Sequence, residues 1–321
     1  MSWYDVCSKR QTKIRHFFCT FVLHYSKYMA RKRKGKKKDN FASSIYKKTG
    51  TIILLIIVTG CCWYISRNRE VLYPENKSEI TYTGGRILTH IPDAEIPARL
   101  KDRKEQIIRH KGYTVSYNNQ LRLPNWVAYE LLRNEVNGSE ERSGRFEIDP
   151  GVIGTCPTYR DYSQSGYDRG HMAPAGDAKW NSQAMKESFY MTNICPQKPG
   201  LNRGNWKELE EQIREWAILD SALLIVCGPV VTDKSKNKTI GKNKVTIPER
   251  FFKVIVAPYL EKPRGIGFLF TNDDKNRRLQ DYVVTIDSIE YITGIDFFPA
   301  LPDEAETLVE GYSNPGIWNL R

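Results

Sequence analysis

Residues 101–321 predict an α+β domain, and three observations carry the prediction. Several short apolar runs have strand character, one long segment repeats its apolar residues at helical spacing, and the two kinds of segment do not alternate as βαβ units. No internal repeat is present.

The elements follow in chain order. Tyr113–Leu131, "YTVSYNNQLRLPNWVAYEL", predicts a strand, a turn and a second apolar segment. Asn205–Asp220, "NWKELEEQIREWAILD", predicts an amphipathic helix, because Trp206, Leu209, Ile213, Trp216 and Ala217 recur every three or four residues. Ala222–Val231, "ALLIVCGPVV", is a continuous apolar run of the kind that forms a central strand. Thr232–Lys244 is polar and lysine-rich and predicts a loop. Arg250–Tyr259 and Arg264–Asn272 predict two more strands separated by a turn at Pro263.

The rest of the chain has a different character. The formal net charge of +12 resides wholly in residues 1–50, where 14 Lys and Arg face only Asp5 and Asp39. The remaining residues hold 35 basic and 35 acidic side chains, so charge alone does not mark the folded part as nucleic-acid binding. The uncharged run Gly50–Ile65 follows the block "RKRKGKKK" and predicts a signal anchor over residues 50–66, at the short end of the range of about 17–25 residues that spans a bilayer. The basic flank places residues 1–49 in the cytoplasm and the domain outside it, on the bacterial periplasmic side. Two alternatives stand beside this. Val58-Thr59-Gly60-Cys61 resembles a lipoprotein cleavage box that would leave a lipidated Cys61, and the N-terminal region could instead serve a mitochondrial protein. Met29 opens a more ordinary anchor sequence, so residues 1–28 read as a mis-start. Residues 67–100, interrupted by Pro74, Pro92 and Pro97, read as a juxtamembrane linker. In the domain, Cys156, Cys195 and Cys227 lack zinc spacing, and an extracytoplasmic domain could join two of them as a disulfide.

The candidate chemistry begins at "YDRGHMAPAGD", Tyr167–Asp177. His171 has the unperturbed basicity of a general base at neutral pH. Arg169 supplies a permanently charged fork for phosphate oxygens, and Gly170 permits close backbone approach. A second stretch, "MTNICPQKPGLNRGNWKELE", runs from Met191 to Glu210. Asn202 reads most simply as a cap at the start of the amphipathic helix. Glu210 lies two turns further on, with Arg214 four residues beyond it, the spacing of a helix-face ion pair.

These two stretches, with "ITGIDFFPALPD" at Ile292–Asp303, resemble the DNA/RNA non-specific endonucleases, the ββα-metal or His-Me finger nucleases that include endonuclease G. The resemblance covers roughly residues 105–305. It implies a central, mainly antiparallel sheet flanked by helices. It also implies a sugar-non-specific endonuclease acting on DNA and RNA, with products carrying 5′-phosphate ends. In that reading His171 is the general base. Asn202 is the direct protein ligand of a Mg²⁺ ion, for which Mn²⁺ could substitute, and Glu210 holds metal-bound waters. Arg169 and Arg214 match phosphate-contacting positions, Arg145 is a further carry-over in "GRFEIDP", and Asn193 is a supporting polar position. Asp168 orients the finger. Related nucleases are often dimers, so a homodimer is among the expectations. The rival from another class is a membrane-tethered module that binds nucleic acid without cutting it. It has no use for His171 together with Asn202. No G-x-S-x-G or H-E-x-x-H string offers another hydrolase.

Overall fold

The computed structural model describes residues 89–232 and 238–320. The predicted tail 1–49, the anchor 50–66 with Cys61, and the linker as far as residue 88 lie outside the described residues, as do residues 233–237. Among the described residues no helix is long and apolar enough to cross a membrane.

Seven strands form one sheet: β1 (Gln106–Arg109), β2 (Thr114–Asn118), β3 (Leu123–Leu132), then β6 (Ala222–Val230), β9 (Arg250–Ala257), β10 (Arg264–Thr271) and β11 (Val283–Val284), in that spatial order. Every pairing is antiparallel. The predicted central strand is β6, fourth of the seven. Its residues alternate between two cores: Leu223, Ile225 and Cys227 face one, Leu224 and Val226 the other. A strand covered on both sides has no polar face to show, and for that reason its sequence reads as an unbroken apolar run. Each such side chain contributes roughly 1.5–3 kcal/mol on burial. The alternation through β9 puts Phe251 and Ile255 on the first face and Phe252 and Val254 on the second, so Lys253 points into the first.

The first face carries the finger. β4 (Asp168–His171) pairs antiparallel with β5 (Ile194–Gln197), and α3 (Pro199–Arg203) and α4 (Asn205–Asp220) follow directly. Between β4 and β5 the chain inserts α2 (Ser182–Ser188); the single-turn α1 (Arg133–Val136) ends β3. The second face is covered by α5 (Ile286–Thr293) and α6 (Asp303–Gly311).

Three sequence expectations change. Ile91, Ile96 and Leu100 pack on the second core around a fully buried Ala94, and Ala98 N donates to Asp296 O at 2.9 Å, so the end of the expected linker belongs to the fold. The prolines there prevented a helix without preventing packing. Within the expected polar loop, β7 (Thr239–Ile240) and β8 (Val245–Thr246) form a two-stranded ribbon. Its turn is anchored by Asp161, which accepts from Asn243 N (2.9 Å) and Asn243 Nδ2 (2.8 Å). Gly241 at φ +64° passes so close to Asp161 that a Cβ would sit 2.4 Å from it. Finally, Cys156, Cys195 and Cys227 are all buried free thiols, so no disulfide joins them.

Candidate active site

β4 and β5 bring Asp168, Arg169, Gly170 and His171 opposite Gln197, Pro196, Cys195 and Ile194. Gly170 is required here because a Cβ would meet Gln197 Oε1 at 1.9 Å. His171 ends the strand with its ring against Phe146 (centroids 5.5 Å) and edge-on to Phe189 (5.0 Å). Its Nε2 is buried without a hydrogen-bond partner. Burial, aided by the nearby Arg142 charge, pushes the imidazole down to about 3, so it is neutral at pH 7 and can accept a proton. Arg169 is exposed, with its guanidinium 4.9 Å from the Phe146 ring centre. Phe146 therefore touches both Arg169 and His171.

Asn193 is fully buried and acts on the backbone. Its Oδ1 accepts from Ala173 N (2.9 Å), and its Nδ2 donates to Ala173 O and Ser188 O (both 2.8 Å). The segment leaving His171 is thereby fixed.

Asn202 is not the helix cap. It sits inside α3, and Gly204 separates α3 from α4, since a Cβ at that position would lie 2.4 Å from Gly200 O. Asn202 Nδ2 donates to Asp168 Oδ2 at 3.0 Å, which leaves the amide oxygen as the end available to a cation. Arg203 also grips Asp168 with two bonds of 2.7 Å and, with Asn202, holds that carboxyl below its usual range. Asp168 is thus the link between β4 and α3.

Glu210 is not part of a solvated pair with Arg214. Its side chain is only 14% exposed, and its carboxylate lies 3.9 Å from Nζ of Lys253, the buried lysine on β9. Burial raises Glu210 to about 7 against the opposing pull of Lys253. Arg214 instead donates to Asp177 at 2.9 Å, and Asp177 also accepts from Tyr129 Oη at 3.0 Å. Trp206 joins the two halves of the site: Nε1 donates to His171 O at 3.1 Å, and Lys253 Nζ lies 4.3 Å from its ring centre.

Beside Arg169 opens a groove of about 770 Å³, lined also by Arg145, Phe146, Ile148, Tyr159 and Arg160. Arg145 pairs with Glu147 at 3.2 Å and is 82% exposed. The strand–strand–helix finger thus sets a buried neutral histidine, through Phe146, next to a groove lined by Arg145, Arg160 and Arg169.

The family model for DNA/RNA non-specific endonucleases matches residues 94–304, two thirds of the chain. The chain belongs to this family. Among relatives of the DNA/RNA non-specific endonucleases, the mitochondrial nuclease EXOG of Mus musculus is 32% identical over 209 residues, 60% of this chain and 57% of that one. The chain therefore spans less than two thirds of the mouse protein's length. A nuclease of Nostoc sp. is 30% identical over 286 residues, 82% of this chain and 96% of its own. The solved EndoG/EndoGI complex contains a chain matching with TM-score 0.60 and 29% identity, over 65% of this chain and 92% of that one. The ββα-metal fold of this endonuclease family is thus the fold seen here.

Sequence reasoning missed Phe146, Phe189, Lys253 and Trp206 as residues of this site. Trp206 read only as an apolar position of the helix, and Lys253 stood as a lone charge inside the apolar run Phe251–Ala257 that could have been weighed. Phe146 stood next to Arg145 in "GRFEIDP" and could have been weighed with it.

Proposed function

We propose that the chain is a metal-dependent, sugar-non-specific endonuclease that hydrolyses phosphodiester bonds of DNA and RNA, leaving 5′-phosphate and 3′-hydroxyl ends. One observation carries the reading: His171 is neutral and its buried Nε2 has no partner, beside a groove bearing the exposed Arg169. An orphaned buried nitrogen is costly for stability and useful for chemistry. In this reading Nε2 takes a proton from the attacking water. A proton acceptor pushed down to about 3 is weak, and the charge of a bound phosphate acts in the opposite direction by favouring the imidazolium.

The residues present fit a hard divalent cation. The donors are the amide oxygen of Asn202 and the carboxylate of Glu210, which suits Mg²⁺ or Mn²⁺, and few protein ligands suit an ion that keeps its waters. Glu210, buried and raised to about 7, would be stabilised in its charged form by a cation bound beside it. When bound, the ion would offset charge on the phosphate and on the leaving oxygen. Arg169, Arg145 and Arg160 would hold the phosphate backbone in the groove, a recognition that reads phosphate rather than base edges. Arg214 would act through its pairing with Asp177, which fixes the loop after β4. Asn193 and Asp168 would position the finger.

The same reading takes the protein to be held at a membrane by residues 50–66 with the nuclease domain outside the cytoplasm, and to pair as a homodimer. The basic block before the apolar run supports the topology.

The test is cleavage of plasmid and RNA by the full-length protein in mild detergent, with Mg²⁺, with EDTA and with His171→Ala. Loss of a general base is expected to cost about 10²–10⁴ in rate. Cutting that persists at full rate in the variant would reject His171 as the base. A folded protein that binds nucleic acid and never cuts it would reject the enzyme in favour of a tethered binding module.

A further inference from the structure

On the second face of the sheet, away from the finger, α5 and α6 pack through Ile286, Ile289 and Val309. Together they bring three carboxylates close, two from α5 and one from the last turn of α6. One oxygen from each of Asp287, Glu290 and Glu310 lies within 4.8 Å of the others. Asp287 is exposed, Glu290 half-buried, and Glu310 only 8% exposed. Among the described residues no Lys, Arg or His reaches ion-pair distance of any of them; the nearby Arg103 is engaged by Asp102 and Thr293 O.

A cluster of acids is by itself only a cost. The second observation is that Glu310 Oε1 is buried and has no hydrogen-bond partner. Glu290 differs, since its Oε1 accepts from Phe297 N at 2.7 Å. A fold that draws three acids together and leaves a buried carboxylate oxygen unmatched lacks one positive charge there. Burial together with Glu290, Glu306, Asp287 and Asp296 pushes Glu310 up to about 9, in keeping with that lack.

We propose that Asp287, Glu290 and Glu310 form a structural Ca²⁺ site that clasps α5 to α6, separate from the ion of the nuclease centre. The donors are all hard oxygens, and no nitrogen or sulfur ligand is offered. Ca²⁺ sits about 2.3–2.6 Å from its oxygens, so opposite ligands are separated by roughly 4.6–5.2 Å. A triad whose oxygens all lie within 4.8 Å of one another can converge on such an ion. Mg²⁺ demands near-ideal octahedral geometry and gives up its waters reluctantly, so three carboxylates from two helices suit the more flexible Ca²⁺ shell better. The remaining coordination would come from water on the exposed Asp287 side.

The test uses CaCl₂ alone on the full-length protein, read by thermal melting and calorimetric titration without nucleic acid. Asn202→Ala serves as a background in which the nuclease centre is disabled. Calcium at about 100-fold excess over its Kd should raise Tm by roughly 5–10 °C in both wild type and Asn202→Ala. Asp287→Asn and Glu310→Gln should each lose the shift while cleaving plasmid normally in saturating Mg²⁺. Asp287 is exposed, so its variant carries the test even if Glu310→Gln folds poorly. Absence of any Ca²⁺-dependent shift in wild type would overturn the proposal, as would a shift retained in Asp287→Asn. A shift abolished by Asn202→Ala alone would overturn it too, because calcium would then be acting at the nuclease centre.

Discussion

The indole N–H of Trp206 donates to the carbonyl oxygen of His171 at 3.1 Å. This bond ties the first turn of α4 to the end of β4, and so joins the helix that carries Glu210 to the strand that carries His171. Trp206→Phe keeps a ring against Phe251 and Phe270 but loses the donor. A net hydrogen bond is worth about 1 kcal/mol, so kcat should fall by up to about tenfold with a small loss of Tm. Unchanged kcat in the variant would show that the tie has no role in positioning.

The pH dependence should separate Glu210 from His171. Glu210 is raised to about 7, so at limiting Mg²⁺ its protonation should weaken activity as pH falls through 7. If the proposed site holds, raising Mg²⁺ should move that acid limb to lower pH, because a cation at Glu210 would select the deprotonated form. With Glu210 saturated, His171 lies at about 3 in the free enzyme, and the acid limb of kcat/KM should fall below the ordinary 6.5. A limb fixed near 6.5 at every Mg²⁺ concentration would contradict both assignments.

The same shift bears on stability. His171 is pushed below its unfolded value, so the folded state prefers the neutral form. Its contribution is whole above about pH 6.5 and is lost as pH falls toward 3. His171→Phe should therefore flatten the fall in Tm between pH 6 and 4. An equal slope in both proteins would place the acid sensitivity elsewhere.

Gly170→Ala should damage the finger, since the new methyl would press on Gln197 Oε1 and Gln197 is fully buried. Overpacking of this kind costs about 1–3 kcal/mol. The expected result is a lowered melting temperature and weakened cleavage, with far-ultraviolet circular dichroism preserved. Wild-type stability would mean that Gln197 moves aside freely.

Asn193→Ala removes three buried hydrogen bonds and orphans Ala173 N. Leaving buried backbone groups unmatched costs about 1–3 kcal/mol each, so a loss of roughly 3 kcal/mol and about 6–12 °C in Tm is expected. Denaturant unfolding is the measurement, and a loss under about 0.5 kcal/mol would refute the positioning role.

Arg145→Ala and Arg160→Ala should weaken binding of nucleic acid with no preference among sequences. If each contacts one phosphate, the slope of log affinity against log salt should lessen by about 0.7–0.9 per arginine removed. An unaltered slope would remove that arginine from the substrate path.

The sequence by itself determined β2, β3, β6, β9 and β10 and the long helix α4. Continuous apolar runs at Ala222–Val231 and Arg250–Tyr259, and the helical spacing from Trp206 to Ala217, are local patterns that each follow from burial on known faces. The motif around His171 and Asn202 was legible through its resemblance to the endonuclease family, since from the residues alone Asn202 read as a helix cap. Tertiary structure decided the partners. Lys253, Glu210 and Trp206 meet because β9 and α4 cover one another, and the alternation of β9 turns Lys253 toward the finger. Arg214 pairs with Asp177, 37 residues away, rather than with Glu210 one turn along its own helix. Local spacing shows which groups can meet on one element. Which of them a buried charge selects depends on what the opposite element brings, and the environment that makes His171 neutral is likewise assembled from distant residues, Phe146 and Phe189.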